Sequence, residues 1–169
     1  MKNQELYNQR LKKAKKMARL LSNIPFVRQI YLTGSMANKN IKYESDIDFF
    51  VQTKKGRIWT VRALIVFLLS MIGEYRIDSN IAGKICPNWY ATFNAPQKNK
   101  RKYEVLISNN SLFSKSAEVI LSGGLGNIIE KKFKQYQIKR FTNDPRTYGK
   151  YSETRFSDEE LGFHPHDKI

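Results

Sequence analysis

The sequence predicts an α/β (α+β) fold, in which a small mixed β-sheet is flanked by helices on one side. Two observations support this prediction. Residue patterns alternate along the chain in the order helix, strand, helix, strand, helix, strand, which is typical of helices packed on one sheet. The 169 residues are 41% hydrophobic, which is enough to build the core of one ordinary domain.

The first predicted element is an amphipathic, strongly basic helix. Its apolar residues follow the spacing of one helical face, and lysines and arginines occupy the rest. The apolar positions are Tyr7, Leu11, Ala14, Ala18 and Leu21. After the turn signal "SNIP", the segment "FVRQIYLTG" predicts a strand that ends at Leu32 or Thr33. Gly34 then begins a short helix or loop.

The middle of the chain contains the next strand, a helix and a third strand. "DIDFFVQT" predicts the strand, and "RIWTVRALIVFLLSMIG" predicts a helix that Gly73 ends. The third strand is expected in "KICPNWYATF", residues 84–93. Because proline cannot donate a ladder hydrogen bond, Pro87 should confine this strand to a sheet edge or to a bulge.

The remaining chain has weaker patterns. "NAPQKNKRK" predicts a basic loop, "RKYEVLI" a candidate extra strand, "SKSAEVILSGG" a short helix, and "LGNIIEKKFKQYQIKRF" a basic helix. We predict one domain over residues 1–145. Residues 146–169 are expected to form an irregular tail, packed back on the domain through Phe156, Leu161 and Phe163.

The charge balance favours anionic partners. Thirty lysines and arginines against fifteen acids give a formal charge of +15, which suits nucleic acid, a nucleoside triphosphate or an anionic membrane surface. The single cysteine, Cys86, excludes an internal disulfide and favours a reducing compartment. The N-terminal segment lacks the apolar region of a signal peptide. The apolar run at 63–72 is shorter than the roughly 20 residues that span a bilayer. We therefore expect a cytoplasmic protein without a transmembrane segment.

Two carboxylates stand in the second predicted strand. Because strand side chains alternate between faces, Asp46 and Asp48 should project to one side about 6 to 7 Å apart. Two carboxylates that close raise each other's proton affinity unless a cation lies between them, and oxygen ligands on a rigid strand suit Mg²⁺ or Mn²⁺. Asp46 alone could be explained as a cap. An unpaired Asp48 in an apolar strand would be costly, so we interpret the pair as metal ligands.

Gly34 and Ser35 precede this pair and suit a phosphate. Glycine lets the backbone approach a phosphate group without a Cβ atom in the way, and Ser35 offers a hydroxyl at the start of a helix. Their alternative is an ordinary strand exit. Lys39 and Lys42, in the spacer before Asp46, are placed to meet the charges of a triphosphate. Phosphate donors and metal ligands facing each other are what nucleotidyl transfer requires.

The stretch "LTGSMANKNIKYESDIDFFV" resembles the signature of the nucleotidyltransferase superfamily, which includes DNA polymerase beta and the minimal nucleotidyltransferases. The shared pattern is a hydrophobic strand, Gly-Ser, a spacer, and Asp-hydrophobic-Asp on the next strand. The resemblance implies the nucleotidyltransferase fold. It also implies transfer of a nucleoside monophosphate from a nucleoside triphosphate, with ATP the expected donor, to an unidentified acceptor. Pyrophosphate would be released and Asp46 and Asp48 would hold Mg²⁺ or Mn²⁺.

The sequence departs from that family at one position. Active members use a third carboxylate on a later strand, and here Asn88 occupies the most similar position. An amide can bind a metal, a hydroxyl or a nucleotide but cannot accept a proton. Asp78 and Glu104 are the available replacements, and we favour Glu104 as the third catalytic residue because it lies between apolar neighbours in the candidate extra strand. Acids at such positions are, however, more often solvated surface residues.

Several alternatives remain open. The chain could be an inactive module that binds nucleotide or nucleic acid, or an antitoxin-like partner subunit that docks through the apolar face of residues 63–72. The positive charge favours RNA or another polyanion as a partner. Four aromatic residues could stack on a base, although aromatic residues at such spacing are more often core: Trp59, Trp89, Tyr90 and Phe93. His164, His166 and Asp167 could bind a metal, although adjacent ligands beside a proline are more typical of an exposed tail.

Overall fold

The computed structural model of the protein describes residues 2–93, 104–108, 112–148 and 154–163. Its α-helices are α1 (Lys2–Leu21), α2 (Gly34–Ala37), α3 (Ile58–Met71), α4 (Leu112–Leu121) and α5 (Gly124–Thr142). Its strands are β1 (Val27–Leu32), β2 (Ile47–Thr53), β3 (Ile85–Thr92), β4 (Glu104–Ser108), β5 (Arg155–Phe156) and β6 (Glu160–Gly162). A short 3-10 helix covers Pro145–Tyr148.

The strands form one mixed sheet in the order β4-β1-β2-β3-β6-β5. β2 and β3 are parallel, and the other pairs are antiparallel. A parallel pair needs a crossover connection, which α3 supplies between β2 and β3. The predicted α/β fold with a small mixed sheet is confirmed, and β2 lies inside the sheet between β1 and β3.

Alternation along β2 separates a core face from a second face. Ile47, Phe49 and Val51 are fully buried in the main hydrophobic cluster, together with residues of α1 and α3. On the second face Phe50 joins a separate buried cluster with Tyr31, Trp89 and Ala91. Because side chains alternate, Asp48 lies on the same face as Phe50 and away from the main core.

Pro87 lies at a β-bulge, which is one of the two arrangements that the sequence predicts for this proline. The register between β2 and β3 shifts between Phe49 and Phe50, which pair with Pro87 and Trp89. This shift leaves Asn88 as the extra residue of β3. The other predicted outcome, an edge strand, is not observed, because β6 pairs with β3 from Trp89 to Ala91. Proline is tolerated because β6 does not extend to it.

The expectation of an irregular C-terminal tail is wrong for residues 155–162. β5 and β6 form an antiparallel hairpin that extends the sheet beyond β3. Leu161 is fully buried in the main core, and Phe156 and Phe163 pack against it, as expected. The apolar residues were recognised, but strands of two and three residues are too short to show a period. The division of the chain at residue 145 stays a prediction.

α3 ends just before Gly73, which has a positive φ of 67°, as its sequence predicts. The basic loop predicted for "NAPQKNKRK", as well as His164, His166 and Asp167, lies outside the described residues. No helix in the described ranges combines the length and the apolar character needed to cross a bilayer.

Candidate active site

Asp46 and Asp48 converge at the start of β2. One carboxylate oxygen of each and the Cys86 sulfur all lie within 4.8 Å of one another. Both aspartates are partly buried, and Cys86 comes from β3, where it pairs with Asp48. Oxygen atoms this close together on neighbouring elements suit a divalent cation.

A buried arginine holds the loop that leads into Asp46. Arg10 of α1 is only 6% exposed and donates hydrogen bonds to the carbonyls of Lys42 at 3.0 Å, Ser45 at 2.7 Å, and Tyr43. The carbonyl of Ser45 also accepts a bond from Gly83 N–H at 2.9 Å. These contacts fix the backbone before β2 and so position the first carboxylate. In the sequence Arg10 is one of many basic residues in the first predicted helix, whose basic side chains are expected to face solvent. No local pattern therefore distinguishes Arg10 from the other basic residues.

Gly34 lies directly against Asp48. Its φ is +64°, and a Cβ atom built on it would be 2.1 Å from Asp48 Oδ2. The preceding residue, Thr33, donates its N–H to the Asp48 carbonyl at 3.0 Å. The sequence predicts that this glycine permits a close approach. The neighbour that the structure shows is the carboxylate, and Ser35, partly buried at the start of α2, follows beside it.

Asn88 is brought to Asp48 by the bulge in β3. Its Nδ2 atom donates to Asp48 Oδ1 at 2.6 Å, and its side chain is 7% exposed. The Oδ1 atom of Asn88 is buried and makes no hydrogen bond within the described part of the chain. An amide therefore occupies the place beside the second carboxylate, with one acceptor atom unused.

Arg76 lies beside the first carboxylate. Its Nε atom is 3.1 Å from Asp46 Oδ2, and its Nη1 atom donates to Cys86 Sγ at 3.7 Å. Burial, followed by the charges of Asp48 and Asp46, raises the pKa of Cys86 to about 12, so its thiol is protonated at neutral pH. Arg76 was missed because it follows α3 in a loop without a pattern. Its place depends on the pairing of Tyr75 with Ile85.

The structure does not bring Glu104 to this site. β4 pairs with β1 so that Glu104 is opposite Leu32, a buried core residue, and paired side chains share a face of the sheet. Glu104 is exposed and contributes, after burial, to raising the pKa of Tyr7 on α1. It therefore lies on the helix-covered face, opposite Asp48. Asp78, the other replacement, is exposed in the turn that joins Ile77 to Asn80.

Two lysines and an aromatic stack complete the surroundings. Lys39, with a φ of +55°, and Lys42 are exposed between α2 and β2. Phe50 stacks between Tyr31, at 5.1 Å, and Trp89, at 4.0 Å between ring centroids. Trp89 is 4% exposed and donates its Nε1–H to Glu160 at 3.1 Å. Trp89 is therefore a core residue here, and the binding roles of Gly34, Ser35, Lys39, Lys42 and Asn88 stay predictions.

Comparison with known proteins agrees with this geometry. The family model described as polymerase beta, nucleotidyltransferase matches residues 15–118. No curated protein and no solved structure matches the chain. The match covers more than half of the 169 residues and contains Gly34, both aspartates and Asn88. The chain belongs to the polymerase beta family of nucleotidyltransferases.

Proposed function

We propose that the protein transfers a nucleoside monophosphate from a nucleoside triphosphate, with ATP as the donor, to an acceptor and releases pyrophosphate. The observation that carries this proposal is the convergence of Asp46 and Asp48 next to Gly34. Paired carboxylates beside a glycine-containing turn can face a triphosphate from two sides. Catalysis then consists largely of positioning and charge stabilisation at the phosphorus.

Mg²⁺ or Mn²⁺ is the cofactor that this donor set fits. Asp46 and Asp48 would hold the cation, and it would supply positive charge to the triphosphate oxygens. The protonated thiol of Cys86 makes it a poor ligand for these hard cations, which favour oxygen. The unused Oδ1 atom of Asn88 adds a further oxygen beside Asp48. A cation at Asp46 would compete with Arg76 for that carboxylate.

The nucleotide would meet residues on the other side of the site. The hydroxyl of Ser35 and the backbone at Gly34 would donate to phosphate oxygens, and the exposed ammonium groups of Lys39 and Lys42 would attract the triphosphate. Gly34, Ser35, Lys39 and Lys42 would therefore bind the nucleotide. The enzyme's location is proposed to be the cytoplasm, where nucleoside triphosphates are abundant.

A binding module without turnover is the second candidate. Asn88 in place of a proton acceptor, and the ion pair of Asp46 with Arg76, both favour it. Such a module would hold nucleotide or nucleic acid, and the charge of +15 favours RNA or another polyanion. An antitoxin-like role beside a protein partner is supported by exposed apolar residues on α3, of which Phe67 is 63% and Met71 69% exposed.

The test uses α-³²P-labelled ATP, GTP, CTP and UTP with Mg²⁺ or Mn²⁺, and total RNA and cell extract as acceptors. Wild type is compared with Asp46→Asn and Asp48→Asn. The matched control is Glu159→Gln, because the Glu159 carboxylate is exposed and is distant in sequence from both aspartates. We expect transferred label with wild type and the control, and loss of at least about a hundredfold in each aspartate variant. Metal-dependent binding of triphosphate without any transfer would favour the binding module.

A further inference from the structure

Four aliphatic side chains are exposed where α4 ends and α5 begins. They are Val119, which is 76% exposed, Ile120, 73%, Leu125, 59%, and Ile128, 55%. The two helices meet closely here, because a Cβ atom on Gly126 would overlap the Leu121 carbonyl. The four side chains therefore share one region, which we call the aliphatic patch. Several exposed apolar residues in one region indicate an interaction site, whereas single ones are normal.

The contacts of α4 and α5 turn the aliphatic patch away from the fold. Glu130 of α5 accepts bonds from N–H groups of α3, and at about 3.6 residues per turn Leu125 and Ile128 lie on the opposite side of α5. Glu118 of α4 accepts bonds from β1, and Ile120 lies on the side of α4 opposite Glu118. Because two of its side chains are about three-quarters exposed, the patch projects outward and does not line a groove.

Positive charges flank the aliphatic patch on both sides. Both helices lie within the described residues, and their exposed charged side chains are Lys115, Lys131, Lys132, Lys139 and Arg140. Lys115 comes one turn before Val119, and Lys131 comes one turn after Ile128. The two acids of these helices are partly buried and bonded to other elements. Every exposed charge on α4 and α5 is therefore positive.

This combination of side chains favours one of three classes of partner. Nucleic acid attracts the cations but gains stacking energy from aromatic rings, and the patch is aliphatic. Protein interfaces are rich in aromatic residues, methionine and arginine and poor in lysine, and leucine and valine are rare among their dominant contacts. Aliphatic side chains beside lysines are typical of helices that lie at a lipid surface. Long lysine side chains can pass along the apolar surface and reach the lipid phosphates.

We propose that the aliphatic patch and its flanking lysines bind the surface of an anionic lipid bilayer. The aliphatic side chains enter the boundary between headgroups and acyl chains, and Lys115, Lys131 and Lys132 contact the lipid phosphates. The charge of +15 on the whole chain adds attraction toward such a surface. A fluid lipid surface adapts to an outward patch, which a rigid partner could receive only in a matching groove. This binding is independent of nucleotide transfer.

The first measurement is sedimentation of the protein with vesicles. One kind of vesicle is phosphatidylcholine alone, and the other contains equal parts of phosphatidylcholine and phosphatidylglycerol. We expect at least about tenfold tighter binding to the anionic vesicles, because each lysine near an anionic surface contributes about fivefold. Added salt should weaken this binding. Equal binding to both kinds of vesicle, or binding to neither, would contradict the proposal.

A double variant, Val119→Ser with Ile120→Ser, removes apolar atoms and keeps every charge. Its binding to anionic vesicles should fall at least about tenfold, because each buried CH₂ group contributes to membrane affinity. The control, Ile77→Ser with Val105→Ser, removes the same atoms at exposed positions outside α4 and α5 and should bind like wild type. Circular dichroism verifies that both variants fold. Undiminished binding by the Val119→Ser, Ile120→Ser protein would reduce the interaction to charge alone and overturn the proposal.

Lys131→Gln with Lys132→Gln tests the flanking charges. The loss of two lysines next to the aliphatic patch should weaken binding to anionic vesicles by at least about tenfold. Lys12→Gln with Lys15→Gln removes two exposed charges from α1 and should weaken binding by less than about threefold, because salt screens charges that do not touch the surface. Equal losses in the two variants would mean that only the total charge matters, which contradicts the proposal.

Ile120→Trp reports insertion without removing the apolar surface. Trp59 and Trp89 are buried, so the emission of wild type should change little when vesicles are added. The emission of the variant should shift to shorter wavelength on anionic vesicles, because the new indole ring leaves water at the interface. An unshifted emission from protein that is fully bound to vesicles would contradict insertion of the patch.

Other occupants of the aliphatic patch give different results. A second copy of the chain would produce a dimer that the Val119→Ser, Ile120→Ser protein does not form, without vesicle binding. A protein or RNA partner would be captured from cell extract by wild type and lost with that variant, again without vesicle binding. Either result would overturn the proposal. Failure of nucleotide transfer is distinguishable, because vesicle binding is measured without nucleotide.

Discussion

Gly34 shows how closely single residues are matched at this site. The residue adopts a left-handed φ of +64°, and its Cα faces the Asp48 carboxylate at a distance that excludes any side chain. Only glycine satisfies both conditions without strain. The same close packing lets the Asn88 amide and the Gly34 backbone hold Asp48 from two sides. The orientation of this carboxylate therefore depends on a residue that has no functional group.

Gly34→Ala should reduce stability and metal binding together. The left-handed φ alone costs roughly 1 kcal/mol for alanine, and the new methyl group must displace Asp48, which we expect to raise the total above about 2 kcal/mol. Urea unfolding and Mn²⁺ titration measure the two effects. Gly56→Ala is the control, because Gly56 has a φ of +72° but no atom within 4 Å of an added Cβ. If both variants bound Mn²⁺ equally well, the contact with Asp48 would be unimportant.

At the scale of elements, acidic side chains of α4 and α5 hold two earlier elements, β1 and α3, in place. Glu130 of α5 accepts bonds from the N–H groups of Trp59 at 3.0 Å and Thr60 at 2.8 Å, and α3 has no side-chain cap of its own. Glu118 of α4 accepts two bonds from Arg28, at 2.7 and 2.9 Å, and one from Phe26 N–H at 2.8 Å. α4 and α5 thus fix both β1 and α3.

Glu130→Ala should lower the free energy of unfolding by about 2 kcal/mol, because two helix N–H groups lose a charged acceptor. Chemical denaturation measures the change. Glu5→Ala, at an exposed position in the first turn of α1, removes the same charge and should change stability by less than about 0.5 kcal/mol. Equal losses in the two variants would show that Glu130 does not cap α3.

Glu118→Gln should destabilise the protein at neutral pH, and this difference in stability from wild type should disappear in acid. Burial alone would raise the pKa of Glu118, but hydrogen bonds from Arg28 and from Phe26 N–H lower it below the ordinary value of 4.5. The ionised carboxylate therefore stabilises the folded state above pH 4.5, and this contribution is lost as the pH falls through the lower folded pKa.

The measurement is urea unfolding of wild type and Glu118→Gln at a series of pH values from 7 downward. The difference in unfolding free energy should be about 2 kcal/mol at neutral pH and shrink steadily below pH 4.5. Glu159→Gln, at an exposed position, is the control and should change the free energy of unfolding by less than about 0.5 kcal/mol at neutral pH. A difference for Glu118→Gln that grows in acid would contradict the assigned pKa direction.

At the scale of the whole molecule, the end of the chain completes the sheet. β6 pairs with β3, which lies next to β2 in the sheet, and Leu161 of β6 is fully buried in the main core. Asp158, just before β6, accepts a bond from Trp59 Nε1 at 2.8 Å and pairs with Lys134 at 2.6 Å. Contacts from residues 154–163 therefore reach β3, α3 and α5.

Leu161→Ala should lower the free energy of unfolding by about 2 to 4 kcal/mol, because a fully buried leucine leaves a cavity in the core. Leu125→Ala removes the same atoms at a position that is 59% exposed and should change stability by less than about 1 kcal/mol. Thermal and urea unfolding, each expected to show one transition, measure both. A mild effect at Leu161 would support an independent tail after residue 145.

Some features of the fold and of the site are encoded within single segments of the chain, and others are not. The α/β fold, its first three strands and the proximity of Asp46 and Asp48 follow from the spacing of residues within single segments, although β2 begins only at Ile47, after Asp46. Pro87 also predicted that β3 is an edge strand or contains a bulge, and the structure shows the bulge. The choice of Glu104 as a third catalytic residue could not be checked locally, because its face depends on the register between β4 and β1.

The sequence by itself determined the helices, the first four strands, their order and the carboxylate pair, because helical and strand periods are local properties of the chain. Only the tertiary structure decided which groups surround that pair. Arg10 and Arg76 approach it from α1 and from a loop, which are far apart in sequence, whereas Asn88 was already expected there from the family resemblance. Their contacts arise from packing of the whole sheet and its helices, and no pattern within one segment records them.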